Sequence, residues 1–136
     1  MLLPPKKIKF NKWKKNYIRN FIETKSFKLQ FGIVGLKALQ SIRLTIPQLE
    51  SARQCLNRNL MRKGKIWITI FPQVPVTQKA TATRMGKGKG NVSFWVMVVK
   101  AGTILFEVDG VPLPIATKGL EKCRSKLPIA TRVVFL

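Results

Sequence analysis

Charge constrains this chain more than any other feature: 26 lysines and arginines face 5 acidic residues, leaving +21 on 136 residues. Five carboxylates cannot pair with so many cations. A compact fold must therefore carry most of them on its surface, where they repel one another until a polyanion neutralises them. Nucleic acid is the commonest such partner, because each phosphate met by Lys or Arg releases condensed counterions. An anionic membrane surface is the physical alternative. Apolar residues still make up 46 % of the chain, far more than a disordered basic tail would have. Length and composition together predict one folded domain with basic extensions.

Several classes fall away. The longest uncharged run, 66–78, has 13 residues and contains Pro72 and Pro75, short of the ~20 a spanning helix needs. The N-terminus has neither an apolar signal core nor an Arg/Ser-rich amphipathic leader. With no His, the usual general base is missing. The acids Glu23, Glu50, Glu107, Asp109 and Glu121 show no catalytic pairing. Glu107 and Asp109 lie at i, i+2 beside a turn; a turn-forming Asp explains them better than a Mg²⁺ site. Cys55 and Cys123 cannot make a zinc site without further ligands, and both read as buried thiols on helices. No enzyme, resident cofactor or small-molecule substrate is expected; any Mg²⁺ would belong to bound RNA.

Residues 1–26 read as a basic arm. Lys6, Lys7, Lys9, Lys12, Lys14 and Lys15 precede the first acid, interleaved with Phe10, Trp13 and Tyr17. Rings that stack on bases beside cations that meet phosphate suit RNA. Residues 27–136 read as a single α+β domain of two helices on a mostly antiparallel sheet. Phe27, Leu29 and Phe31 alternate as a short strand does, and Gly32 and Gly35 mark a turn, bulge or close approach. A helix starts at Thr45, where Thr45 and Gln48 fit a capping box and Glu50 suits the positive helix end, and Gly64 stops it. Leu49, Ala52, Leu56 and Leu60 form its core stripe. Arg53, Arg58 and Arg62 lie largely off that stripe, and with so few acids to pair with they read as phosphate contacts, as does Lys65.

Residues 66–71 read as a strand, and 93–99 with 103–108 as a hairpin across Ala101 and Gly102. A second helix from about Pro114 buries Ala116, Leu120, Cys123 and Leu127, and 131–136 is a last strand. Between strands, residues 72–92 show no periodicity and read as a long loop, a length that is often functional. Its far end, Arg84, Met85, Gly86, Lys87, Gly88, Lys89 and Gly90, combines charge with a backbone free to approach phosphate. The spacing excludes a Walker A loop, which needs Gly-Lys-Ser/Thr leading into a helix.

These residues resemble the universal, bacterial-type family of large-subunit ribosomal protein L-sixteen. The likeness runs through Pro5–Phe10, Phe31–Ala38, Gly64–Ile68, Arg84–Asn91, Glu107–Val111 and Lys126–Ile129. It implies a compact α+β fold on large-subunit ribosomal RNA, beside neighbouring ribosomal proteins. It places Arg84, Met85, Gly86, Lys87, Gly88 and Lys89 near tRNA in the aminoacyl site, and Lys6, Lys7, Lys9 and Lys12 on ribosomal RNA. Residues 16–23 are more apolar than the family's Arg/Gly-rich stretch there. Lysine outnumbers arginine, and Ile, Phe and Asn are plentiful, which fits an AT-rich genome. The expectation is an organelle-encoded, mitochondrial copy; a plastid or bacterial cytoplasm are the alternatives.

Overall fold

The computed structural model describes residues 4–14, 22–25 and 27–136. In chain order the elements are β1 (Val34–Ala38), β2 (Ile42–Thr45), α1 (Ile46–Asn59), β3 (Lys65–Ile68), β4 (Val74–Gln78), β5 (Asn91–Val99), β6 (Ile104–Asp109), α2 (Leu113–Arg124) and β7 (Thr131–Phe135). They build the expected α+β architecture, with two antiparallel sheets instead of one. The first has the order β3-β6-β1-β7 and the second β2-β5-β4. α1 and α2 pack on each other, α2 against the first sheet and α1 against the second. Leu36, Phe106 and Val108 from one sheet and Leu44, Met97 and Val99 from the other close one core with Leu49, Leu56, Leu120 and Cys123.

The expected hairpin of 93–99 with 103–108 does not form, because those two strands lie in different sheets. The turn between them redirects the chain. Gly102 adopts φ +94, its N–H donates to the Ala38 carbonyl at 2.7 Å, and the Ala38 N–H donates to the Thr103 carbonyl at 2.8 Å. The end of β1 thus captures the chain leaving β5 and aligns β6 beside β1. Residues 22–25 sit against the same turn: the Glu23 N–H donates to Ala101 O at 2.8 Å, and Lys100 pairs with the Glu23 carboxylate at 3.4 Å.

Phe27, Leu29 and Phe31 belong to no strand. Their segment lies across the outer face of the first sheet, with the amides of residues 30–32 turned to a side chain instead of a ladder. The strand begins later, at Val34, and includes Gly35, where a turn or bulge was one expectation. Both glycines serve close approach: a Cβ on Gly32 would meet Val108 O at 2.7 Å, and one on Gly35 would collide with Leu29.

The expected loop 72–92 contains β4. Pro75 hid it, since proline cannot donate to a ladder and is confined to edges; β4 is an edge strand, and Pro75 pairs in register with Trp95. The true loop is 79–90.

α1 opens as expected, with Gln48 Oε1 accepting from the Thr45 N–H at 3.0 Å. It ends before Gly64, at Asn59. The Met61 N–H donates to Arg58 O at 3.1 Å and the Arg62 N–H to Asn57 O at 3.0 Å, the Schellman pairing that satisfies terminal carbonyls. Met61 (φ 53) and Arg62 (φ 60) both adopt left-handed conformations, where glycine usually sits. In α2, Gly119 admits the partner helix, since its Cβ position is 3.3 Å from both Leu56 and Leu60. Among the described residues no helix is long and apolar enough to cross a membrane.

Candidate nucleic-acid interface

The hairpin of β4 and β5 carries the glycine-rich loop away from the core. Three glycines shape it for two reasons. Gly86 and Gly88 take φ +82 and +80 in open space, a conformation disfavoured for any residue with a Cβ. Gly90 is needed for contact, since a Cβ there would collide with the Gln78 carbonyl across the hairpin. Residues 81–89 are all exposed, Met85 among them at 87 %.

The N-terminal arm folds back on this loop. Lys12 Nζ donates to Lys89 O at 3.2 Å, and Lys89 Nζ in turn donates to Trp13 O. Trp13 Nε1 bonds Phe10 O at 3.2 Å, and Lys9 lies over the Phe10 ring. Two grooves result. One, of about 570 Å³, runs between the start of the loop at Lys79 and its end at Lys87 and Lys89. The other, of about 540 Å³, has Lys6, Lys7 and Lys12 on one wall and Asn91 and Trp95 on the other. They share Asn91 and Val92, and among the described residues no acidic one lines either. A polyanion laid along them would meet lysines from both elements with no carboxylate to repel it.

Of the residues expected to bind RNA, Lys6, Lys7, Lys9, Lys12 and Lys14 are exposed on the arm, and Lys15 lies outside the described residues. Arg84 and Met85 stand on the exposed stretch of the loop. Arg58 and Arg62 line a separate groove of about 380 Å³ with Gln54, Asn57 and Met61. Lys65 is elsewhere again, 5.0 Å from the Trp67 ring.

Arg53 was expected to meet phosphate because so few acids could pair with it, yet it does find one. Its Nε and Nη2 donate to Glu50 at 3.1 and 2.7 Å. The Arg53 guanidinium holds the Glu50 carboxyl down at about 2, against burial that pushes it up. Glu50 is therefore a partner for Arg53 rather than a charge in the first turn of α1, where no acid lies. Cys123 is buried as expected, its thiol pushed up to about 12 by burial and then by Cys55. Cys55 is only partly buried.

Sequence reasoning missed Lys79 and Trp95 as groove walls; both become visible only once β4 and β5 are paired. It also missed Glu107, which is 1 % exposed. The Glu107 carboxylate accepts from the N–H groups of Gln30, Phe31 and Gly32 at 3.1, 2.7 and 2.9 Å. Asp109 turns to the Gly110 N–H at 2.7 Å, so the two acids point to different tasks. No group of three or more acidic or sulfur ligands among the described residues could hold a metal ion.

A family profile described as ribosomal protein L16p/L10e matches residues 5–134. The large ribosomal subunit protein uL16 of Maricaulis maris is 47 % identical over 133 residues, covering 98 % of this chain and 96 % of the relative. The protein of the same name from Azorhizobium caulinodans has the same identity and coverage. That from Cereibacter sphaeroides is 48 % identical over 134 residues, again covering 98 % of this chain and 96 % of its own.

Proposed function

The chain belongs to the L16p/L10e family of ribosomal proteins, and on that premise we propose that it is a structural, non-catalytic constituent of the large ribosomal subunit. It binds ribosomal RNA, contacts neighbouring ribosomal proteins, and directs loop 79–90 towards tRNA in the aminoacyl site. The observation that carries this reading is the junction of arm and loop. Lys12 and Lys89 tie the two together around grooves that hold lysines and no acid. Neutralised phosphates supply the affinity, and the loop's backbone supplies the reach.

The hydrogen bonds divide the labour. Lys12 and Lys89 help to fix the arm–loop geometry, whereas Arg84 and Lys87 are exposed and, among the described residues, take no part in the bonds between arm and loop. Replacing Arg84 and Lys87 together with Gln should impair tRNA accommodation more than subunit assembly; Lys12→Gln should do the reverse. Sucrose-gradient profiles read assembly, and tRNA binding by the purified subunits reads accommodation. Subunits that fail to form in the Arg84/Lys87 variant, with normal tRNA binding by the survivors, would overturn the placement of the loop.

The compartment belongs to the same proposal. The relatives named above are bacterial, while the excess of lysine over arginine and the abundance of Ile and Phe favour a mitochondrial ribosome. Finding the encoding gene in a mitochondrial genome is the test.

A further inference from the structure

Three stretches from distant parts of the chain meet on the outer side of the first sheet, away from both grooves. Trp67 on β3 stands opposite Glu107 on β6 in the ladder. Phe31 is brought over them by the Glu107 carboxylate, which accepts its N–H at 2.7 Å. The rings of Phe31 and Trp67 lie within 17° of parallel, with centroids 6.1 Å apart. Phe31 remains 57 % exposed although its backbone is fastened. Lys65 Nζ is 5.0 Å from the Trp67 centroid. Beyond this stack, Phe27 is also exposed, with Lys28 and Lys37 ammoniums 5.6 and 5.9 Å from its ring. Among the described residues Lys28, Lys37 and Lys65 form no salt bridge.

The combination selects a ligand. A fastened aromatic face exposed to water offers stacking to any flat π system at little ordering cost. Unpaired ammoniums at its rim call for an anion. A nucleotide supplies both, and only an unpaired one has a free base face to offer. We propose that Phe31 and Trp67, with Lys65 beside them, form a stacking seat for one unpaired RNA nucleotide. Its base lies on the exposed face of Phe31 and its phosphate meets Lys65. The seat rests on the RNA-binding reading above but shares no residue with the arm–loop grooves.

The test titrates the full chain with an RNA hairpin carrying one bulged adenosine, and with the same hairpin made abasic at that nucleotide. The wild type should bind the base-bearing hairpin about 10-fold more tightly, the order expected for one stacked base. Phe31→Leu should erase that preference while leaving the abasic hairpin's affinity unchanged, and Phe31→Tyr should keep it. Lys65→Gln should weaken both hairpins alike. Equal wild-type affinity for the two hairpins overturns the seat yet leaves charge-driven RNA binding standing; failure to bind either removes both readings. In assembled large subunits, a photo-crosslinker at position 31 should capture a ribosomal RNA nucleotide. Capture of a neighbouring protein instead would overturn the proposal.

Discussion

A carboxylate that accepts from consecutive backbone amides fastens a segment that has no ladder of its own, and Glu107 does this for residues 30–32. Bonds to an ionised acceptor are stronger than neutral ones, and a buried acceptor replaced by an amide turns a donor towards donors. Glu107→Gln should therefore cost about 2–3 kcal/mol in urea unfolding and expose 27–33 to proteolysis before the rest of the chain. In the sequence Glu107 was visible only as an acid near a turn, because the amides it serves lie more than 70 positions away. Glu50 was legible as a residue of α1 but not in its partner. Its folded-state value of about 2 lies below the usual 4.5. The Glu50–Arg53 pair thus contributes fully above about pH 4.5 and is lost as pH falls through about 2. The pair is partly solvated, so Glu50→Gln should cost no more than about 1 kcal/mol near neutral pH. That difference from wild type should disappear in denaturation curves taken near pH 2.

Among the elements, the helices were the most legible in sequence. The stripe of Leu49, Ala52 and Leu56 and the Thr45–Gln48 cap place α1 without ambiguity, and Ala116, Leu120 and Cys123 do the same for α2. The end of α1 was not, because the left-handed turn is made by Met61 and Arg62 in place of a glycine. Such a conformation costs a residue with a Cβ roughly 1–2 kcal/mol. Met61→Gly should consequently raise stability by about 0.5–1 kcal/mol, read as a shift of the urea midpoint at unchanged slope. A drop in the midpoint would mean that the Met61 side chain, though exposed, contributes more than its backbone costs. Strand partners were the least legible. Run 93–99 and run 103–108 each declare β structure, yet nothing local says that the Ala38 backbone will claim the turn between them. β4 was lost to Pro75, which is harmless only because the strand is an edge. The candidate interface shared this fate. Its charges were plain in the sequence, but the joining of arm to loop through Lys12 and Lys89 is a tertiary fact.

For the whole molecule, the charge of +21 makes stability and binding two views of one equilibrium. A polyanion that binds the folded chain and not the unfolded one stabilises it by about 2.7 kcal/mol at a hundred times its dissociation constant. The melting temperature should rise with added RNA fragments, and the rise should shrink steeply with salt. Removing Arg84 and Lys87 together should lower the slope of log K against log salt by about 2 if each meets a phosphate; an unchanged slope would show that neither does.

The strand order of the first sheet has a consequence for how the chain is made. β1 lies between β6 and β7, and Ala38 waits for Thr131, 93 positions later. A nascent chain therefore emerges with this apolar strand bare on both edges, and exposed edges of that kind invite pairing with other molecules. Residues 4–14, rich in lysine, emerge before it. Translation thus presents the sticky strand with a leading block of like charge already in solution, holding neighbouring nascent copies apart until the strand's proper partners have been synthesised.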